Sequence, residues 1–77
     1  MEPILDLDID ASTQYATLYA DGRPVATFQR RRVYDKGPAW RVYDTDGKLI
    51  REFYLVHSAA RMARNVAKIL GLIDREI

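Results

Sequence analysis

Cysteine is absent from this 77-residue chain. Disulfides and thiolate zinc sites are therefore excluded. A domain of this size buries roughly 60% of its unfolded surface and holds a net stability of about 3–5 kcal/mol. It must stand on packing alone or gain stability by self-association. His57 is the one histidine. A Ser-His-acid relay needs a nucleophile held against the base and a carboxylate orienting it. Ser58 adjoins His57, but neighbours at a helix start point apart. Ser58 reads as a helix cap, His57 as a surface or hinge residue, and no catalytic residues are expected. Glycine is scarce and scattered (Gly22, Gly37, Gly47, Gly71), so no strand–helix turn is rich enough in it to cradle a phosphate. No apolar run approaches the ~20 residues of a membrane span. The opening residues Met1–Asp6 lack the basic start and apolar stretch of a signal peptide. The expectation is one small cytoplasmic domain over residues 1–77, without cofactor, metal or small-molecule substrate.

Net charge is also small, at +1, but it is unevenly placed. Residues 1–22 carry Glu2, Asp6, Asp8, Asp10 and Asp21 and no base. Residues 23–40 carry Arg23, Arg30, Arg31, Arg32 and Lys36 against Asp35 alone. Such a dipolar layout suits self-association or a charged partner. It falls short of the domain pI above ~9 that usually marks nucleic-acid binding.

What is present in abundance is strand patterning. Leu5-Asp6-Leu7-Asp8-Ile9-Asp10 alternates strictly, the period of a strand with one buried face. A first strand is expected over about 4–10 and a second, rich in Tyr and Thr, over 14–20. Asp21-Gly22 predicts a type I′ hairpin turn, since both residues tolerate positive φ. The returning strand runs over 24–34, with Pro24 at its start, where a missing N–H matters least. After a loop at 35–38, a fourth strand is expected over 40–45. Asp46-Gly47 predicts another hairpin and a fifth strand over 48–55. A two-residue loop there sets Trp40 opposite Phe53, Arg41 opposite Glu52, Val42 opposite Arg51 and Tyr43 opposite Ile50. That register pairs opposite charges and gathers the apolar set. The two hairpins echo each other: Asp21-Gly22-Arg23 and Asp46-Gly47-Lys48 each lead to a phenylalanine, Phe28 and Phe53, six residues past the glycine.

Ser58 is a good N-cap and Gly71 a natural helix stop. Between them, Ala59, Met62, Ala63, Val66, Ile69 and Leu70 form an apolar stripe at helical spacing, predicting a helix over about 59–70. Arg61, Arg64, Asn65 and Lys68 make the opposite face. The expected architecture is an α+β domain: an antiparallel β-meander of four or five strands with one C-terminal helix packed on one face. Its expected core is Leu5, Leu7, Ile9, Leu18, Val25, Trp40, Val42, Leu49, Phe53, Leu55, Met62, Val66, Ile69 and Leu70.

Three surface features bear on function. Asp6, Asp8 and Asp10 share a strand face. They have oxygen ligands for a hard cation, but Ala11 stands where a calcium loop places its turn glycine, and edge protection is the competing reading. Arg30-Arg31-Arg32 is the most basic run, with Arg30 and Arg32 on one face and Arg31 on the other, and phosphate contact competes with a solvated strand end. The tyrosines are the third feature. Tyr43, Ile50 and Tyr54 are expected on the sheet face away from Trp40, with Arg41 beside them and Tyr15 and Tyr19 joining. Tyr with Arg is the composition of binding hot spots, although tyrosine also simply favours strands.

The stretch from Trp40 through Asp46-Gly47-Lys48, then Phe53, then Ala59, Ala60 and Ala63 resembles the arm-DNA-binding domain of phage-type tyrosine recombinases, a three-stranded sheet plus helix. The likeness covers about residues 40–70, and Tyr19–Arg23 resembles that family's first hairpin. It implies a shared architecture and a sheet face entering the major groove of DNA. The acidic first strand and near-zero net charge depart from that family's basicity. The leading expectation is a small non-enzymatic protein-interaction module, a phage or bacterial accessory protein that binds and modulates a larger one. Its interface candidates are Tyr15, Tyr19, Arg41, Tyr43, Ile50 and Tyr54, and homodimerisation is a companion expectation. The alternative is DNA binding through Arg30, Arg32, Arg41 and Lys48.

Overall fold

Each strand pairs with its sequence neighbour. In the computed structural model, which describes residues 2–33, 37–54 and 58–73, one antiparallel sheet runs in the order β1-β2-β3-β4-β5. The strands are β1 (Leu5–Asp10), β2 (Tyr15–Ala20), β3 (Arg23–Val33), β4 (Gly37–Asp44) and β5 (Leu49–Tyr54), followed by α1 (Ala59–Ile69). The fold is thus α+β, a five-stranded meander with one C-terminal helix. Most boundaries fall within a residue of expectation. The exception is β4, which begins at Gly37. Gly37 and Pro38 are strand residues paired with Val33 and Arg32. Pro38 lies one position beyond Ala39, the last β4 residue paired to β5, at the end of a strand where a missing N–H is tolerated. Leu55 and His57 lie outside the described residues.

The turns explain the register. Asp21 (φ 51°) and Gly22 (φ 81°) both lie in the left-handed region, as a type I′ turn requires. The second hairpin uses a three-residue loop. Asp44 N donates to Lys48 O at 2.9 Å, Gly47 N donates to Asp44 O at 3.0 Å, and Gly47 takes φ 83°. The Asp44 carboxylate accepts from Asp46 N and Lys48 N, both at 2.9 Å, which holds the loop in place of the shorter turn. The extra loop residue is absorbed by a bulge. Tyr43 pairs with Leu49, whereas Val42 pairs with Arg51, so Ile50 is the unpaired residue. Beyond the bulge, Trp40–Phe53, Arg41–Glu52 and Val42–Arg51 pair as predicted. A matching bulge on β3 leaves out Val25, between Leu18–Ala26 and Tyr19–Pro24.

The core lies between the sheet and the helix. Ala16, Leu18, Ala26, Phe28, Trp40, Val42 and Phe53 meet Met62, Ala63 and Val66. Phe28 packs edge-on to Trp40, with ring centroids 6.5 Å apart. Fully burying a side chain of this class contributes about 1.5–3 kcal/mol. Leu5, Leu7, Val25 and Leu70 are half-buried against this cluster. Three expected core residues are instead exposed: Ile9 (46%), Leu49 (50%) and Ile69 (45%). Ile9 is near the far end of an edge strand. Leu49 is turned out by the bulge. On the helix, Ala67 is buried in place of Ile69. Ser58 Oγ accepts from Arg61 N at 3.1 Å, capping the helix start. At the other end Gly71 N donates to Lys68 O and Leu72 N to Ala67 O, with Gly71 at φ 77°, which is a Schellman stop.

Candidate interaction surface

Because side chains alternate along a strand, the residues between the core positions project from the opposite side of the sheet. No described element covers that side. The register lines up Asp10, Tyr15, Gln29, Arg41 and Glu52 in one row across all five strands. The next row holds Asp8, Thr17, Thr27, Tyr43 and Leu49. Tyr19 joins beside Asp6 on β1, and Tyr54 joins beside Ala39 on β4. Tyr15 is 45% exposed, and Tyr19, Tyr43 and Tyr54 are half-buried.

Hydrogen bonds order this face. Gln29 Nε2 donates to the Tyr15 hydroxyl at 2.9 Å. Arg41 Nε donates to Glu52 Oε2 at 2.9 Å, and the Tyr54 hydroxyl donates to Glu52 Oε1 at 3.1 Å. The bond to Glu52 raises the Arg41 guanidinium further above its ordinary value. Arg41 and Glu52 side chains are 42% and 27% exposed, so water screens most of the pair's attraction. Its main effect is to hold Arg41 and Tyr54 in a fixed arrangement. At the Tyr19 corner a shallow hollow of about 430 Å³ opens between Ile4, Asp6, Tyr19, Asp21 and Gly22.

Of the expected interface set, Tyr15, Tyr19, Arg41, Tyr43 and Tyr54 share this face. Ile50 does not: the bulge turns it against the core cluster, and Leu49 takes its place opposite Tyr43. Gln29, Thr17 and Thr27 were missed. Their strands lack the apolar–polar contrast that would have set the register from sequence.

The expected nucleic-acid set is not brought together. Arg30 and Arg32 lie on the Trp40 side, with the Arg30 guanidinium 5.8 Å from the Trp40 ring centroid. Arg41 is on the opposite side, paired to Glu52, and Lys48 sits at the β4–β5 turn. Arg30, Arg31 and Arg32 do border one hollow of about 340 Å³ with Gln14 and Pro38. Among the described residues no cluster of His, Cys, Asp or Glu is arranged to hold a metal. Asp6, Asp8 and Asp10 follow one another along β1 without forming such a cluster. Among the described residues no helix is long and apolar enough to cross a membrane.

No protein-family model, curated protein or solved structure matches the chain.

Proposed function

We propose that the chain is a non-enzymatic protein-interaction module whose open sheet face binds a larger protein, as an accessory or modulator does. One observation carries this reading. Tyr15, Tyr19, Tyr43 and Tyr54 sit on one face around Arg41, partly exposed, with the Tyr15 and Tyr54 hydroxyls and the Arg41 guanidinium held by Gln29 and Glu52. Tyrosine supplies a large amphipathic contact area at the cost of freezing two side-chain angles. Here part of that ordering is already complete in the free domain, which lowers the entropy cost of association. The same face carries Asp6, Asp8 and Asp10 along β1, and these carboxylates repel a phosphate backbone. That counts against the duplex reading and in favour of a protein partner.

The test uses immobilised chain, an extract of the organism of origin and a labelled DNA duplex. Tyr43→Ala combined with Tyr54→Ala should abolish capture of a protein that the unmodified chain and an Arg61→Ala helix-surface control both retain. Loss of central tyrosines typically weakens binding by ~30-fold or more. Capture indifferent to the tyrosines, or no captured protein, overturns the proposal. Duplex retained at ~50 mM salt and released by ~200 mM would support the DNA alternative in its place.

A further inference from the structure

β1 is an edge strand, and its hydrogen bonds show which way its backbone points. Asp21 N donates to Ile4 O at 2.9 Å, and Gln14 N donates to Asp10 O at 3.0 Å. In an antiparallel strand alternate residues address the same neighbour. Ile4, Asp6, Asp8 and Asp10 thus turn N–H and C=O toward β2, while Leu5, Leu7 and Ile9 turn theirs outward. Among the described residues nothing pairs with that outer edge.

The two sides of this edge differ in chemistry. On the helix side a groove of about 420 Å³ separates β1 from α1, floored by Leu5, Leu7, Ala59, Ala60 and Ala63. The alanines are small enough to leave room for apolar side chains. Arg64 stands in the groove with its charge matched by Glu2, 3.5 Å away. On the other side Asp6, Asp8 and Asp10 form an acidic row, and neither Asp6 nor Asp8 has an ion-pair partner among the described residues. A second copy of β1 is a poor occupant, because antiparallel pairing would set aspartates of both copies side by side.

We propose that the outer edge of β1 accepts an extended segment of a partner protein in which apolar residues alternate with lysine or arginine. The segment adds a sixth strand, bonding to the outward N–H and C=O groups of Leu5, Leu7 and Ile9. Its apolar side chains enter the groove under α1, and its basic ones line up against Asp6, Asp8 and Asp10. The open edge and the groove make the docking surface, and the aspartates set the charge of what docks. The acidic row borders the tyrosine face at Tyr15 and Tyr19, but the strand edge and the groove contain no tyrosine, and Tyr43 and Tyr54 lie on other strands.

The probe is an end-capped seven-residue peptide of alternating valine and lysine, titrated into the isotope-labelled chain and followed by amide shifts and amide hydrogen exchange. The same residues in block order, and an alternating valine–glutamate peptide, are the controls. The alternating basic peptide should slow exchange at Leu5, Leu7 and Ile9, and the controls should not. Asp6→Asn with Asp8→Asn should weaken binding about tenfold, as loss of two exposed ion pairs predicts. Ile9→Pro removes an outward N–H that the fold does not use, so it should abolish binding while the chain stays folded. If that variant does not fold, exchange protection in the unmodified chain still decides. Tyr43→Ala with Tyr54→Ala should leave peptide affinity unchanged, so this proposal and the tyrosine-face reading fail separately. Equal binding of the block-ordered peptide, or no protection of β1 amides at ~1 mM peptide, a Kd worth only about 4 kcal/mol, overturns the proposal.

Discussion

The β2–β3 and β4–β5 hairpins are built on related sequences, Asp-Gly-Arg-Pro-Val-Ala-Thr-Phe over 21–28 and Asp-Gly-Lys-Leu-Ile-Arg-Glu-Phe over 46–53. Their turns differ: one is a two-residue turn with both residues at positive φ, the other a three-residue loop held by a carboxylate. Past the turn the two hairpins agree. Each second strand is bulged three residues past its glycine, at Val25 and at Ile50. Each carries a buried phenylalanine three residues further on. In a regular strand, residues three apart face opposite sides of the sheet. The bulge lets both the aliphatic residue and the phenylalanine reach the core. Its offset from the glycine survives a change of loop length, so it belongs to the strand's packing and not to the loop.

Phe28→Ala and Phe53→Ala test that equivalence most severely. Each should cost about 3–5 kcal/mol, comparable with the whole stability of a domain this small. Circular dichroism during urea titration should show both variants losing most of the cooperative transition. The two losses should be of similar size, because both rings are almost fully buried in the core. A mild Phe53→Ala would show that the second hairpin is peripheral to the core. Gly22→Ala and Gly47→Ala come next. Both glycines lie near φ +80°, and a Cβ at either would meet nothing within 4 Å. The cost is therefore backbone strain alone, about 1–2 kcal/mol, and should be the same in both hairpins despite their different loops. Unequal urea midpoints would mean that loop length, not glycine conformation, governs the turn.

The smallest effect is expected at the β1–β2 turn, which has no glycine and places Gln14 at φ 62°. There the Asp10 carboxylate accepts from the Ser12 hydroxyl at 2.7 Å and from its amide at 2.9 Å. These bonds, the hydroxyl first, hold the Asp10 carboxyl below its ordinary value. The native state thus binds that proton less readily than the unfolded chain. The associated stability is fully present above the ordinary carboxyl value and is lost as pH falls through the lowered one. Ser12→Ala should melt slightly lower than the unmodified chain at neutral pH, and the gap should close in acid. A gap independent of pH would assign the effect of Ser12 to something other than its bond to Asp10.

The strand order and helix limits were legible because each rests on a local signal: the Leu–Asp alternation of β1, the two Asp-Gly turns, Ser58 and Gly71. The register at Arg41–Glu52 was legible from its opposite charges. The bulge at Ile50 was not. A longer loop and an unpaired strand residue cancel, so every pair beyond them matches the simpler reading while Leu49 and Ile50 exchange sides. Ala16, Ala20, Ala26 and Ala39 are buried without announcing it, because a methyl group suits either face of a sheet. Arg30 hid a core-side position behind its charge, since its stem can lie along Trp40 while its head reaches water. Of the candidate surface, the tyrosines were readable by parity. The Gln29 bond to Tyr15 and the outward-facing edge of β1 needed the pairing of three strands at once.

β3 is eleven residues long, against six in β2, and Arg31–Val33 run on past Gln29, the partner of Tyr15 at the start of β2. There β3 keeps β4 on one flank, and no described strand pairs with the other. The pairs Arg32–Pro38 and Val33–Gly37 should therefore open more readily than the pairs flanked by strands on both sides, at a fraction of the global free energy. Two of the three consecutive arginines, Arg31 and Arg32, thus sit beyond the reach of β2, while Arg30 stays bonded to Gln14 and set over the Trp40 ring.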